Sequence, residues 1–229
     1  MGCSLSDRKP SATPQDDLFK RKDILTKQEI RTYIKDLINK NISTFASSSR
    51  MICKEIIASE EYKKASEIYA YMALFDEVEL TDVIKQAIKD GKRVALPKII
   101  SKEDGIMEFY YLDAQKSLVE QTSGGAYGIL EPDETLPASP NPDSHTLILV
   151  PGRAFTMDGA RLGRGKGYYD RYLAKEIVGH PSTSSGTATM TRLPNVAIAG
   201  VCFNFQVLAE VPTDLNDIKM DVVFTTSQE

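Results

Sequence analysis

A short apolar and aromatic run, Ile68–Leu74 (IYAYMAL), is followed by a helical pattern and then by a second apolar run, Arg93–Ile100 (RVALPKII). The helical pattern starts at Thr81, read as its cap, presents Val83, Ile84, Ala87 and Ile88 on one side, and stops at Gly91. Strand, helix and strand at this length make a βαβ unit, which joins parallel strands through a crossover. No other feature of the chain restricts the fold as much, because a parallel sheet must be covered on both faces. Pro97 is expected near the end of its strand, since proline cannot donate to a ladder. Further apolar runs supply the rest of the sheet: Met107–Leu112 as an antiparallel or edge strand, Thr146–Gly152 and Val196–Phe203 as buried strands, and Asp221–Thr226 as the strand that closes it. One helix is expected from Phe19 to about Ser48, with Ile30, Ile34, Leu37, Ile38 and Phe45 as a single stripe. Others are expected from Ser49 to Ala58 and from Gly165 to Lys175. Pro132, Pro137, Pro140 and Pro142 exclude regular structure in their stretch. The expected fold is α/β: a three-layer sandwich around a mainly parallel sheet, with ligands bound at the carboxyl ends of the strands.

Residues 1–18 are polar, carry two prolines and show no apolar period, so they are expected to form a flexible extension. Residues 19–229 are expected to be a single domain, with the Ser/Thr-rich stretch 179–195 as a mobile insertion. Composition removes several function classes. No apolar run approaches the roughly 20 residues of a membrane-spanning helix. The net charge of −4 lacks the basic surplus of a general nucleic-acid binder. Cys3, Cys53 and Cys202 form no CxxC pair, which argues against a disulfide framework or a zinc site. His145 and His180 are too few, and sit in too loop-like a sequence, for a histidine-centred triad. A cytoplasmic chain with a locally cationic site is the expectation.

That cationic site is easy to place. In Gly159–Leu173 (GARLGRGKGYYDRYL), Gly159, Gly163, Gly165 and Gly167 alternate with Arg161, Arg164 and Lys166, after a buried strand and before a helix. Glycines let backbone amides approach an anion, and a helix N-terminus adds partial positive charge. Arginine and lysine there supply donors for phosphate oxygens. This is not a Walker A loop, because Gly167 rather than Ser or Thr follows Lys166 and Ala160 stands where the first glycine belongs. The competing reading is a solvated surface loop, and the strand before it with Tyr168, Tyr169 and Asp170 after it favours a site. Weaker signals are Lys27 and Arg31 on one helix face, Glu77 in an acidic turn after a strand, and Asp217 and Asp221, which either bind magnesium or pair with arginines.

RLGRGKGYYDRYL (Arg161–Leu173) resembles the signature of the 5-formyltetrahydrofolate cyclo-ligase family, also called 5,10-methenyltetrahydrofolate synthetases. Lys27-x-x-x-Arg31, the turn Asp76–Thr81, Gly128–Pro132, Leu149–Gly163 and Asn216–Val223 resemble further elements of that family in the same order, so the likeness runs from about Lys27 to Thr225. Departures are the N-terminal extension, the 179–195 insertion, and Arg153, which stands where a small or apolar residue is usual. The resemblance implies the sandwich fold shared with sugar-phosphate isomerases and CoA transferases. It also implies ATP-dependent closure of 5-formyltetrahydrofolate to 5,10-methenyltetrahydrofolate, with ADP and phosphate as the other products, and Mg2+ as cofactor. Lys27, Arg31, Arg161, Leu162, Gly163, Arg164, Gly165, Lys166, Gly167, Tyr168 and Tyr169 would contact ATP. Met72, Glu77, Arg164, Gly165, Lys166, Gly167 and Tyr168 would contact the folate. Lys166, Arg164 and Tyr168 would serve catalysis, and Asp170 and Asp217 would hold the metal.

Two rivals stay open on sequence. A sugar-phosphate isomerase or CoA-transferase relative would need an Asp/Glu–His group or a CoA-linked glutamate. A non-catalytic nucleotide-binding regulator should have lost some of Lys27, Arg31, Lys166 and Asp217, all of which are present. No nucleic acid and no stable protein partner is implied. MGCSLS at the start fits the M-G-x-x-x-[ST] pattern, so Gly2 is a candidate for myristoylation and Cys3 for palmitoylation, the one route to membrane contact.

Overall fold

The computed structural model describes residues 25–139, 142, 145–178, 180, 181, 190, 191, 193–214 and 217–226. The 1–18 extension with Gly2 and Cys3, Asn216, and most of 179–195 lie outside these residues. In chain order the elements are α1 (Lys27–Asn41), α2 (Phe45–Ala58), α3 (Glu60–Lys64), β1 (Glu67–Tyr69), α4 (Thr81–Lys89), β2 (Arg93–Ser101), β3 (Ile106–Tyr111), β4 (Thr122–Gly124) and β5 (Leu130–Pro132). They continue with β6 (Thr146–Pro151), β7 (Ala154–Phe155), β8 (Arg161–Leu162), α5 (Tyr168–Leu173), β9 (His180–Pro181), β10 (Met190–Thr191), β11 (Val196–Val201) and β12 (Val222–Phe224). Six strands form the central sheet in the order β12-β11-β6-β1-β2-β3. All neighbours are parallel except β2 and β3.

The three layers follow from the period-two alternation of the strands. Ile68, Val94, Leu96, Leu147, Leu149 and Val201 face one core with Ile52 and Ile56 of α2 and Val83, Ile84 and Ala87 of α4. Tyr69, Ala95, Ile148, Val150 and Ile198 face the other with Tyr172 and Leu173 of α5. On the first side β1, α4 and β2 are the expected βαβ unit. A third cluster seats α1 through Ile30, Ile34 and Ile38 on Ala154, Ala160, Leu162 and Leu208. Each of these isoleucines is at most 2% exposed, and burying one contributes about 1.5–3 kcal/mol. The Thr26–Glu29 capping box adds roughly 1 kcal/mol. The apolar stripe therefore decides where α1 lies, and with it where Lys27 and Arg31 point. Among the described residues no helix is long and apolar enough to cross a membrane.

Several expected boundaries move. The first stripe does not run as one helix to Ser48: a 3-10 turn at Ile42–Thr44 breaks it, and Phe45 opens α2, stacking on Phe203 at 4.3 Å between ring centres. β1 ends at Tyr69 because both neighbours pair with it only to that residue, which frees Tyr71–Glu77 to form a loop. Thr81 is not a cap; it begins α4, and its amide and hydroxyl donate to Glu79 at 2.9 and 2.6 Å. Pro97 sits inside β2 rather than at its end, tolerated because β1 pairs with β2 only as far as Ala95. Pro132 closes the short strand β5. Helix α5 starts at Tyr168, three residues later than expected, since Gly165 and Gly167 take φ of +98° and +68°. The ends of the 179–195 insertion pair as the antiparallel β9–β10 ladder, Met190 opposite Pro181.

Candidate functional site

The glycine-rich loop leaves β8 and enters α5 at the carboxyl edge of the sheet, beside the loop that follows β1. Gly167, in the left-handed conformation, is the N-cap of α5. Arg171 fixes the loop from the helix side, its Nε donating to the Gly105 carbonyl at 3.0 Å and its guanidinium also reaching the Lys166 carbonyl. Arg31 fixes it from α1, donating from Nε to the Gly163 carbonyl at 3.1 Å. The loop's backbone is thus held by two arginines from two helices.

A cavity of about 350 Å³ opens against this loop. Its wall includes Met72, Glu77, Arg164, Lys166, Gly167 and Tyr168, six of the seven residues expected to contact folate. Arg161, Gly163, Tyr169 and Asp170 complete the loop's share of the wall. Gly165 is not part of the wall and lies under the Arg31 guanidinium. Leu162 is 1% exposed and packs under α1, so only its main chain can reach a ligand. Lys27, Arg31 and Asp217 also stand outside the wall. Lys27 Nζ is 2.7 Å from both Asp214 and Asp217.

Sequence reasoning missed part of the wall. Tyr71, Pro97, Ile99, Met107 and Tyr127 line the cavity, together with Glu131 of the Gly128–Pro132 element. Tyr127 has φ +58°, costly for a residue with a Cβ, and its hydroxyl lies 3.2 Å from that of Tyr168. The ring pair is edge-on at 6.5 Å. The available signal was an aromatic residue directly before the Gly128–Pro132 element. It could not reveal a contact to a residue 41 positions away.

The charges are arranged as pairs. Arg161 binds Asp170 at 2.5 Å. Arg164 donates to Glu77 at 2.9 Å and also pairs with Asp76. Arg153 pairs with the other oxygen of Asp76 at 2.5 Å. Asp76 is 3% exposed. Burial by itself would raise its carboxyl, but the hydrogen bond and charge of Arg164 and the charge of Arg153 outweigh this and hold it below the usual range. Burial likewise opposes the Lys27 and Asp217 charges; the hydrogen bonds that Lys27 donates to Asp214 and Asp217 keep it raised, and the bond from Lys27 keeps Asp217 lowered. The sign for stability follows. A depressed folded value means that Asp76 contributes fully above about pH 4, and that the contribution disappears as pH falls through the folded value. The urea midpoint of the natural chain should therefore drop between about pH 4 and 2. Asp76→Asn should start lower at pH 7 and lose less over that interval. Parallel pH profiles for the two chains would show that Asp76 carries no acid-sensitive stability.

A parallel sheet with a cationic, glycine-rich loop at its carboxyl edge, opening on an aromatic cavity, is the arrangement of an α/β enzyme that handles a phosphorylated ligand. The comparisons with known proteins narrow this class. A model of the 5-formyltetrahydrofolate cyclo-ligase family matches residues 21–226, and the chain belongs to that family, whose members are ATP-dependent ligases. A probable 5-formyltetrahydrofolate cyclo-ligase of Schizosaccharomyces pombe is 31% identical over 206 residues, 88% of this chain and 95% of the relative. The Mus musculus 5-formyltetrahydrofolate cyclo-ligase is 30% identical over 177 residues, covering 76% and 80%. Among solved structures, the Aquifex aeolicus 5,10-methenyltetrahydrofolate synthetase superposes with a TM-score of 0.66 at 29% identity, covering 88% of this chain and 90% of that one. The Mycoplasma pneumoniae synthetase, at 21% identity and a TM-score of 0.60, supports the fold.

Proposed function

We propose that this chain closes 5-formyltetrahydrofolate to 5,10-methenyltetrahydrofolate at the expense of ATP, within the cavity between the β1 loop and the glycine-rich loop. The observation that carries this is the shared wall: Lys166, Gly167 and Tyr168 belong both to the anion-binding loop and to the cavity that holds Met72 and Glu77. Two substrates can thus meet at one set of residues.

The chemistry explains why such a site needs charge and positioning more than a nucleophile. A formyl oxygen is a poor leaving group. It attacks the γ-phosphorus, forming a C–O–P linkage and releasing ADP. N10 then attacks the activated carbon, the C–O bond breaks, inorganic phosphate departs with that oxygen, and N10 loses its proton. Phosphoryl transfer of this kind asks mainly for alignment and neutralisation of developing charge. In this reading Lys166 and the loop amides take the γ-phosphate, Arg31 and Arg161 hold the loop around the nucleotide, and Glu77 accepts hydrogen bonds from the pterin amide edge. Incubation with 5-formyltetrahydrofolate and Mg-ATP should raise the near-ultraviolet absorbance of the conjugated methenyl product. No rise, or a rise that persists without ATP, would sink the reading.

The donors present fit magnesium. Asp170 and Asp217 are hard oxygen ligands, each held by a cation, Arg161 and Lys27 respectively. Among the described residues no group of three or more His, Cys, Asp and Glu gathers for a metal. That suits an ion usually bound by one or two carboxylates plus substrate phosphates. When bound, it would supply neutralisation of phosphate charge. Asp217→Asn should then raise the magnesium concentration needed for half-maximal rate. An unchanged magnesium titration would leave Asp217 as the ion-pair partner of Lys27 alone.

A further inference from the structure

Two unfavourable features of the cavity wall lie side by side, in and after the turn between β4 and β5. Tyr127 holds φ +58°, a conformation that persists only where the surroundings over-determine it and that gathers at functional sites. Glu131, four residues on, is 5% exposed and lines the same cavity. The other acids of the wall, Glu77 and Asp170, are paired with Arg164 and Arg161. Glu131 has no ion pair among the described residues and accepts one hydrogen bond there, from the Ala126 amide at 3.1 Å. Burying an acid without a cation is costly, so the one bond it makes calls for a reason.

The reason lies in the turn that this bond holds. Ala126 directly precedes Tyr127, and the amides of Gly125 and Ile129 close the turn on the Ile129 and Ala126 carbonyls, at 2.8 and 3.3 Å. A Cβ on Gly125 would overlap the Glu131 carboxyl, so glycine there lets the acid lie against the main chain. These contacts fix the backbone on both sides of Tyr127. Its ring is half exposed, has the Lys102 ammonium 5.6 Å from its centre, and brings its hydroxyl to 3.2 Å from that of Tyr168. Tyr168 opens α5 on the glycine-rich side of the cavity. The turn therefore delivers an aromatic ring to the residue expected to contact both substrates.

We propose that Glu131 is a positioning residue: its carboxylate clasps the turn 125–128 and thereby holds the Tyr127 ring in the wall beside Tyr168, where the folate binds. The inference rests on the cyclo-ligase reading of the site and adds to it a residue that acts through Tyr127 instead of touching substrate. Two conservative variants separate the clasp from the charge. Glu131→Asp keeps the charge but withdraws the oxygen from the Ala126 amide, whereas Glu131→Gln keeps an acceptor oxygen without the charge. The KM for 5-formyltetrahydrofolate should rise about 5- to 30-fold in Glu131→Asp, the value of one buried hydrogen bond. It should stay unchanged in Glu131→Gln, and the KM for ATP should stay unchanged in both. On a Tyr127→Ala background, Glu131→Asp should add nothing further, since residues that act as one unit are not additive. An unchanged folate KM in Glu131→Asp, an equal rise in Glu131→Gln, or additive effects in the double variant would each overturn the proposal. Should Glu131→Asp fail to fold, Gly125→Ala takes its place, because its Cβ displaces the same carboxyl. A readout without substrate keeps the clasp apart from the reaction. The chain has no tryptophan, so tyrosine dominates its near-ultraviolet circular dichroism. That signal should change in Glu131→Asp and not in Glu131→Gln. Absence of methenyl product from the natural chain defeats the cyclo-ligase reading, whereas identical tyrosine signals in all three chains mean that Glu131 does not hold Tyr127.

Discussion

Lys166→Ala is expected to lower turnover by at least ~100-fold, the scale of deleting one donor aimed at developing charge. The reason lies in which cations of the loop are already engaged. Arg161 is held by Asp170, and Arg164 by Asp76 and Glu77. Lys27, from α1, is held by Asp214 and Asp217. The Lys166 ammonium has no ion-pair partner among the described residues, although it lines the cavity. An incoming phosphate therefore gains its charge without first breaking a pair. The arginines differ: Arg161 and Arg164 are already paired with carboxylates, so their charge is partly neutralised before a ligand arrives. The folding equilibrium should hardly move, since Lys166 is exposed and fills no core. A variant with near-normal kcat, or one whose rate loss follows a loss of folded protein, would remove Lys166 from the chemistry.

Much of this loop was legible in the sequence because its signal is local. Alternating glycines and cations between an apolar run and a helix state both the conformation and the charge. The strands were legible for a similar reason, since Leu147, Ile148, Leu149 and Val150 are apolar on both faces and so demand a layer on each. What stayed hidden depends on partners far apart in the chain. The Arg164–Glu77 bond spans 87 residues, and no periodicity reports it. Asp76 looked like one member of an acidic turn. Its part as counter-ion to both Arg153 and Arg164 exists only once the β1 loop, the segment between β6 and β7, and the glycine-rich loop meet. The same meeting turns Arg153 from a mismatch into half of a buried pair.

Boundaries failed where tertiary contacts outvoted local pattern. Phe45 fits the apolar period of the first helix, yet its stacking on Phe203 places it at the start of the second. Tyr71 fits a strand, yet the strand ends two residues earlier and the side chain becomes cavity wall. Burial was predictable in both cases; the surface against which each residue is buried was not.

Gly159→Ala should be the most damaging of the glycine changes for folding, at about 3 kcal/mol. Gly159 lies in the turn between β7 and β8 with φ +93°, a conformation that strains any residue bearing a Cβ by about 1–2 kcal/mol. Its amide donates to the Thr156 carbonyl at 3.0 Å, and its own carbonyl accepts from the Met220 amide at 2.9 Å. A Cβ at this position would overlap the Met220 carbonyl oxygen, which is backbone and cannot rotate aside. Relief requires the turn to move away from the segment before β12, giving up the Met220 bond, itself worth about 0.5–1.5 kcal/mol. The melting temperature should fall by about 6–12 °C for a chain of this length. Gly91→Ala supplies the comparison. Gly91 has φ +73° but nothing within 4 Å of its would-be Cβ, so it reports the conformational strain without the contact. The Gly159 variant should lose clearly more than the Gly91 variant. It should also lose activity in the fraction that remains folded, because the same turn feeds β8, whose Arg161 holds Asp170, and abuts the segment that carries Asp217. Equal melting temperatures for the two variants would mean that the turn yields freely, and that its clasp on the segment before β12 contributes nothing to the site.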